Sequence, residues 1–197
     1  MRLLPQIAPI AARAKLALAN LALPGLRQLS RSQLKDFNDT MEFLIASDGQ
    51  LELFEYTLQK MVRRHLASQF EPAKKNVVQF YSAKPLLPDC AVLLSAIAHA
   101  GQGSETDANK AFLKGAAFLR VQGGLVELLP TSESGLDKID AALNRLAQAA
   151  PQIKKNVLEA CAQTVAADGV IEESEAELLR AIADTLDCPI PPFVEME

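Results

Sequence analysis

Six carboxylate side chains, arranged in two sets with the same spacing, are the residues of this chain best suited to chemistry. Each set follows the order Asp-x3-Glu-x2-Glu, and the second set lies 120 positions after the first. The six residues are Asp48, Glu52, Glu55, Asp168, Glu172 and Glu175. Carboxylate oxygens are the ligands that hard divalent cations prefer. We therefore predict these six as candidate metal ligands for a weakly held Ca²⁺ or Mn²⁺, and no other cofactor.

The spacing matches only half of a known calcium-binding loop. An EF-hand loop follows D-x-[DN]-x-[DN]-G-x5-E, and both sets fit its second half. The first and third ligand positions fall on Leu44 and Ala46 in one copy and on Thr164 and Ala166 in the other. Because Ca²⁺ takes about six to eight oxygen ligands, half a loop supplies too few. The pattern therefore argues against a tight calcium site in either copy alone.

A structural role is the competing interpretation of these carboxylates. Asp48 and Asp168 are placed to brace a turn, and Glu55 and Glu175 to accept hydrogen bonds from free amides at the start of the following helix. A looser cation site stays open, either from Asp168, Glu172 and Glu175 or from carboxylates of both copies.

An internal repeat with an offset of 120 residues surrounds the two sets. Residues 43–62 align without a gap on residues 163–182. Identical pairs across the wider alignment are Lys35/Lys155, Ala46/Ala166, Asp48/Asp168, Gly49/Gly169, Glu52/Glu172, Glu55/Glu175, Leu58/Leu178 and Leu66/Leu186. Repeat one spans 35–66 and repeat two 151–193, with middle helices over 67–150.

Each copy of the repeat is predicted as a helix, an Asp-Gly turn and a second helix that starts with acidic residues. Gly49 and Gly169 suit a turn position with positive φ. The apolar residue after each turn, Leu51 or Ile171, is predicted to point back into the core.

Apolar residues recur at helical spacing along most of the chain, and alternating strand patterns are nearly absent. Ser30 or Ser32 is predicted to cap one helix and Asp89 another, and Ser104 precedes a third. Pro151 suits a first helical position. The predicted fold class is all-α, a multi-helix bundle.

Composition excludes several classes of function. The chain has 197 residues, of which 49% are hydrophobic, and a net charge of −4 with only two Tyr and no Trp. Such a chain is suited neither to phosphate-backbone binding nor to base stacking, so no nucleic acid partner is predicted. Three scattered Cys indicate buried thiols in a reducing compartment, and no apolar run reaches the length of a membrane span. We therefore expect a cytoplasmic location and only indirect membrane contact.

Charge is distributed unevenly along the chain. Residues 1–35 carry six basic groups and no acid, whereas residues 36–197 carry 14 basic and 24 acidic groups, a net charge of −10. A basic segment before an acidic body favours binding to a membrane surface or to another chain. The simpler interpretation is a linker helix, over residues 1–30, that docks on the acidic body.

Motifs for catalysis are missing from the sequence. Its two histidines, His65 and His99, do not form HExxH, and neither GxSxG, GxxxxGK[ST] nor GxGxxG occurs. We therefore predict that the chain is not an enzyme.

The two turns resemble a known family of helical domains. The pattern Ala-Asp-Gly-x-Ile-x-x-x-Glu, followed by Leu-Leu-Arg-Ala-Ile-Ala, is similar to the TerB-like family of tellurite-resistance-associated domains. Longer phrases resemble the C-terminal cytoplasmic region of HtpX-like bacterial membrane zinc metallopeptidases. These phrases are LALPGLRQLS (21–30), LIASDGQLELFEYTLQKMVRRHL (44–66), KPLLPDCAVLLSAIAHAG (84–101) and LLRAIADTLDCPIPPF (178–193).

The resemblance implies a TerB-like helical domain over residues 31–197 without the peptidase domain itself. It implies a non-catalytic accessory or interaction module whose partner is a protein, namely a membrane metallopeptidase domain in cis, with the complete protein attached to the bacterial inner membrane. In the TerB-like family the acidic residues at the turn are associated with divalent metals, which maps that role onto the two carboxylate sets. The alternative function is a stand-alone tellurite-resistance-type protein that binds divalent cations. The sequence leaves the oligomeric state open.

Overall fold

Eight α-helices make up most of the part of the chain that the computed structural model describes, which is residues 12–47, 53–70, 77–101, 103–119 and 125–190. The helices are α1 (Ala12–Leu26), α2 (Arg31–Ser47), α3 (Leu53–Phe70), α4 (Leu87–Gly101), α5 (Glu105–Ala116), α6 (Leu136–Leu146), α7 (Pro151–Val165) and α8 (Glu173–Thr185). Within those ranges there is no strand, only an isolated bridge between Phe80 and Ala149. The all-α class is therefore confirmed.

The larger hydrophobic core lies among helices α4 to α8. Helix α4 packs against α5, α6 and α7, and α5 packs closely along α7. Phe112 of α5, Leu93 of α4 and Leu143 of α6 are fully buried there. Burial of such side chains is the main favourable contribution to folding, at about 1.5–3 kcal/mol for each.

A smaller core joins the N-terminal helices to this body. Its buried members are Leu23, Met61, Val62, Leu66 and Ala181, which come from α1, α3 and α8. Helix α1 packs against both α3 and α8. Since α8 also contributes to the larger core, it connects the two clusters. No helix in the described part of the chain is long and apolar enough to cross a membrane.

Most of the predicted helix starts are confirmed. Ser30 Oγ accepts a hydrogen bond from the amide of Gln33, whose side chain in turn accepts one from the amide of Ser30. Ser104 caps α5 by accepting from the amide of Asp107, and Pro151 occupies the first turn of α7. These are local interactions, which explains why residue type alone predicts them.

The predicted cap at Asp89 is wrong. A 3-10 turn over Lys84–Leu86 continues directly into α4, so this helix already begins at Leu87. Asp89 therefore lies inside the first turn, where its carboxylate accepts a hydrogen bond from Arg145 Nε at 2.9 Å.

Burial of two of the three thiols leads to a prediction about their reactivity. Cys90 and Cys161 are at most 1% exposed, and burial raises the pKa of both thiols, that of Cys90 to about 12. Because the thiolate is the reactive form, iodoacetamide at pH 8 is expected to label only the partly exposed Cys188 in the native protein. Intact-mass spectrometry should show one adduct under native conditions and three in denaturant. A second native adduct would contradict this burial.

Candidate functional site

The turn before α8 is braced by Asp168, as the structural interpretation predicts. Asp168 Oδ1 accepts a hydrogen bond from the amide of Val170 at 3.0 Å. Gly169 has a φ of 88°, so the predicted positive φ is confirmed in this copy. The equivalent Asp48 and Gly49 lie outside the described residues.

The prediction that Ile171 points into the core is wrong. Its side chain is 48% exposed, and the neighbouring Val170 is 63% exposed. The turn contacts α5 through its backbone instead, since Lys114 Nζ donates a hydrogen bond to the carbonyl of Ala166. Leu51, the equivalent residue of the first copy, lies outside the described residues.

Glu172 and Glu175 form a capping box at the start of α8. The Glu172 side chain accepts a hydrogen bond from the amide of Glu175, and Glu175 Oε2 accepts one from the amide of Glu172 at 2.9 Å. These two carboxylates therefore satisfy helix amides that have no partner within the helix. In this copy the predicted role for Glu175 as an acceptor at the helix start is confirmed.

Glu175 also borders an apolar cavity of about 320 Å³. The cavity is lined by Leu53, Phe54, Ile97, Ala100, Gly101, Val165, Glu175 and Leu178. Burial, followed by the nearby charges of Asp168 and Glu172, raises the pKa of Glu175 above its usual range. Its anionic form is thus disfavoured in the folded state.

The structure does not bring the six predicted ligands together as one described site. Glu55 is exposed near the start of α3, while Asp48 and Glu52 lie outside the described residues. Within those residues, no group of three or more His, Cys, Asp and Glu side chains is placed to hold a metal ion. The cation site stays a prediction.

Capping and metal binding make different demands on Glu175, and two substitutions distinguish them. Glutamine accepts the same hydrogen bond, so Glu175→Gln is expected to leave the free energy of unfolding unchanged or slightly higher, because it removes a repelled charge. Glu175→Ala removes the acceptor and is expected to cost about 0.5–2 kcal/mol. Urea unfolding at pH 7 measures both. Equal losses in the two variants would contradict the capping role.

A second candidate site is a cleft of about 600 Å³ between α3 and α6. It is lined by Tyr56, Gln59, Lys60, Arg63, Arg64, Ala67, Asp140, Leu143, Asn144, Ala147, Gln148 and Thr185. The lining holds three basic residues and one acid. Its volume is in the range of small-molecule and peptide sites, about 300–1,000 Å³.

A hydrogen-bonded cluster lines one wall of this cleft. Asp140 Oδ1 accepts from the Tyr56 hydroxyl and from Lys60 Nζ, the latter at 2.7 Å, and Asp140 Oδ2 accepts from Asn144 Nδ2 at 2.9 Å. Burial tends to raise the pKa of Asp140, but the hydrogen bonds from Lys60 and Tyr56 outweigh it and hold that pKa below its usual range. Burial and the same carboxylate raise the pKa of Tyr56 far above its usual value. Asp140 is therefore ionised and Tyr56 protonated at neutral pH.

Beside the cleft, ion pairs join α3 to the end of α8. Arg64 pairs with the carboxylates of Asp184 and Asp187 and donates to the carbonyl of Asp184. His65 Nε2 lies 2.8 Å from Asp184 Oδ1. Lys154 Nζ is 3.9 Å from Asp187 Oδ2. The contacts of Arg64 and His65 hold α3 against the end of α8.

Sequence reasoning missed the cleft. The local signal was the cluster of bases in Lys60-Met61-Val62-Arg63-Arg64, which is unusual in an acidic body. Nothing in the sequence indicates that Asp140, which is 80 residues from Lys60, completes the wall.

Comparison of the chain with protein-family models, with curated proteins and with solved structures gives no significant match.

Proposed function

We propose that the chain is a non-catalytic accessory module of two TerB-like halves that binds a protein partner and acts with a membrane zinc metallopeptidase. The observation that carries this proposal is the pairing of α3 with α8, the helices that contain residues 53–66 and 178–185 of two phrases on which the resemblance rests. The proposal takes the chain as the regulatory C-terminal part of such a peptidase or as its separately encoded counterpart.

The bounds and contacts of these helices support two equivalent halves. Helices α2 and α7 begin at residues 31 and 151, so their starts are separated by 120 residues. The starts of α3 and α8 border one cavity, and Arg64 meets Asp184 near their other ends. The two helices therefore run side by side in the same direction. Arg64 and Asp184 are themselves 120 positions apart, as expected where equivalent helices meet at a pseudo-two-fold axis.

The test is co-expression of the chain with a metallopeptidase, followed by co-purification from membranes and a cleavage assay. The tagged chain is co-expressed with an HtpX-type metallopeptidase whose own C-terminal cytoplasmic region has been deleted. We expect the two to co-purify in detergent and the chain to change the rate at which the peptidase cleaves a reporter substrate. The matched control is the intact peptidase, whose own region should compete and reduce recovery. Neither co-purification nor a change in cleavage would contradict the proposal.

A divalent-cation site at the turn of repeat two is the second candidate function. One observation favours it, namely that the charges of Asp168 and Glu172 add to burial in raising the pKa of Glu175, so the three carboxylates repel one another. A bound cation would relieve that repulsion, and ligand binding to the folded state alone would raise its stability.

Calorimetric titration of the EDTA-stripped protein with Ca²⁺, Mn²⁺ and Mg²⁺ tests this candidate. Saturable binding at micromolar affinity, lost in an Asp168→Asn/Glu175→Gln double variant, is the expected result. The same variant keeps side chains that accept hydrogen bonds, so the helix start is retained. A flat trace would leave the carboxylates as caps of the turn and of α8.

A further inference from the structure

Helix α1 is apolar on more of its surface than the described residues cover. On its inner side, Leu23 is 6% exposed and belongs to the smaller core against α3 and α8, with Ala19 and Leu26 packed beside it. On its outer side, Leu21 is 78% exposed and Leu18 is 42% exposed. A helix that is apolar on both sides is normally covered on both sides. The outer side of α1 therefore has the character of a contact surface.

The exposed apolar residues form one continuous strip along this helix. Residues three and four positions apart lie on the same side of a helix, and Leu18, Leu21 and Gly25 follow that spacing. Ala17 and Ala22 lie next to them, and all five residues are exposed. We call these five residues the outer face of α1. A continuous exposed apolar strip marks a site of contact with a protein or a membrane.

Basic residues lie before and after the outer face. Arg13 and Lys15 are near the start of α1, and Arg27 and Arg31 come directly after its end. The stretch between Lys15 and Arg27 carries no charge, and residues 1–35 contain no acid. An apolar strip with bases at both ends is the pattern of a helix that lies on an anionic surface.

The bases that follow α1 are not used within the described part of the chain. Arg27, Arg31 and Lys35 are exposed, and their side chains make no ion pair or hydrogen bond with the described residues. Residues 36–197, in contrast, carry a large excess of acids. A negatively charged surface therefore attracts the edge of the molecule at α1 and repels the acidic body, which orients the outer face toward that surface.

We propose that the outer face of α1 binds the surface of an anionic membrane, with the helix in the plane of the interface and the flanking bases at the lipid headgroups. Such helices insert an apolar face at the boundary between headgroups and acyl chains, while Lys and Arg attract anionic lipids. This mode does not need the length of a membrane span, which α1 does not have. Since α1 is already folded against α3 and α8, binding requires no further ordering of the helix.

A membrane suits this surface better than a second copy of the chain does. Pairing of two copies through α1 would bring their basic ends together, and residues 1–35 offer no acid to compensate. The outer face consists only of Leu, Ala and Gly, whereas protein interfaces are anchored mostly by Trp, Tyr and Arg. Lipid requires only apolar surface and positive charge. The inference goes beyond the proposed function and does not depend on it.

Cosedimentation of the full chain with lipid vesicles tests the proposal. We expect binding to vesicles of equal parts phosphatidylglycerol and phosphatidylcholine, weakened by high salt, and little binding to phosphatidylcholine alone. Leu21→Glu should lower the affinity at least about tenfold, because it removes apolar area and adds a repelled charge. Leu125→Glu makes the same change at a side chain that is 95% exposed outside α1, and this matched control should bind as the wild type does.

A second pair of variants separates the bases beside α1 from the net charge. Arg27→Gln/Arg31→Gln should lower the affinity about fivefold for each base removed. Lys138→Gln/Lys155→Gln makes the same change in net charge at exposed positions of α6 and α7, and should leave binding unchanged. Equal effects of a variant and its control in either pair, or no binding to the mixed vesicles, would overturn the proposal.

A tryptophan reporter distinguishes insertion into lipid from contact between copies. The chain has no Trp, so Leu21→Trp places a single fluorophore on the outer face and Leu125→Trp places one elsewhere. With mixed vesicles, we expect the emission of the first variant to shift to the blue and that of the second to stay unchanged. A blue shift that follows protein concentration without vesicles would assign the outer face to a second copy and overturn the membrane site.

The proposed function and membrane binding can fail separately. Vesicle binding without co-purification of the metallopeptidase would support the membrane site and contradict the peptidase association. Co-purification that Leu21→Glu abolishes, in a chain that does not bind vesicles, would assign the outer face to the protein partner and overturn the membrane site.

Discussion

Replacing Met61 by alanine is expected to lower the free energy of unfolding by about 2–5 kcal/mol, the range for truncating a fully buried large aliphatic side chain. Met61 has no exposed surface and is the largest buried side chain of the smaller core, between α1, α3 and α8. The remaining members cannot fill the cavity without moving their helices. Urea unfolding followed by circular dichroism measures the loss. Leu125→Ala is the control, because that side chain is 95% exposed and its removal should change stability by no more than about 0.5 kcal/mol.

Met61 also allows a test of how α3 and α8 meet. Met61 and Ala181 lie at equivalent positions of the proposed repeat and belong to the same buried cluster. Ala181→Met alone should overpack the cluster and cost about 1–3 kcal/mol. The exchanged pair, Met61→Ala with Ala181→Met, restores the total volume and should recover part of both losses. Losses that simply add would contradict direct packing of the two positions.

Replacing Gly115 by alanine has the second largest expected effect. A Cβ atom at this position of α5 would lie 2.0 Å from Thr164 Oγ1 and 2.6 Å from the carbonyl oxygen of Ala160 in α7. The hydroxyl can rotate, but the helical backbone of α7 cannot yield without disturbing the larger core. We expect a steric cost of about 3 kcal/mol, larger than the gain of about 1 kcal/mol in helix propensity.

Gly25→Ala is the matched control for Gly115→Ala. Gly25 also lies in a helix, α1, but nothing comes within 4 Å of the Cβ position. The same substitution should therefore stabilise the protein slightly, by up to about 1 kcal/mol. Thermal unfolding of both variants measures the expected loss of stability in Gly115→Ala and the expected small gain in Gly25→Ala. A neutral Gly115→Ala would mean that α5 and α7 separate at little cost.

Local signals in the sequence predicted the helices and most of their starts. Ser30 and Ser104 act within three residues of themselves, and Pro151 acts through its own φ, so one segment at a time suffices. The prediction that Asp89 caps α4 was wrong because a 3-10 turn before α4 leads directly into a helix that begins at Leu87. Such an extension depends on the packing of Leu86, which is fully buried, and packing is not a local signal.

Periodicity does not say how many faces of a helix are buried. Helix α7 is covered by both α4 and α5, and Ala160 on it has no exposed surface. At the equivalent position of α2, Thr40 is exposed, and its hydroxyl donates to the carbonyl of Asp36. Two helices with similar apolar spacing therefore differ in burial, since α7 is central in the bundle and α2 is peripheral.

The parts of the candidate sites that depend on contacts between distant residues could not be predicted from the sequence. The capping role of Glu175 involves residues three apart and was predicted. Contacts of Tyr56 with Asp140 and of His65 with Asp184 join residues 84 and 119 apart. A single sequence carries no signal for such pairs, since either partner has the composition of an ordinary solvated helix face.

The C-terminal end of α8 depends on a residue of a distant helix. The last carbonyls of a helix have no partner within it, and Arg64 of α3 supplies a donor to that of Asp184. Arg64 also pairs with Asp187, which has a positive φ of 60° just beyond the helix. The C-terminal end of α8 is therefore closed by an arginine that lies 120 positions earlier in the sequence than the carbonyl it meets. A fragment that began after α3 would lack that arginine, and α8 would end without this donor.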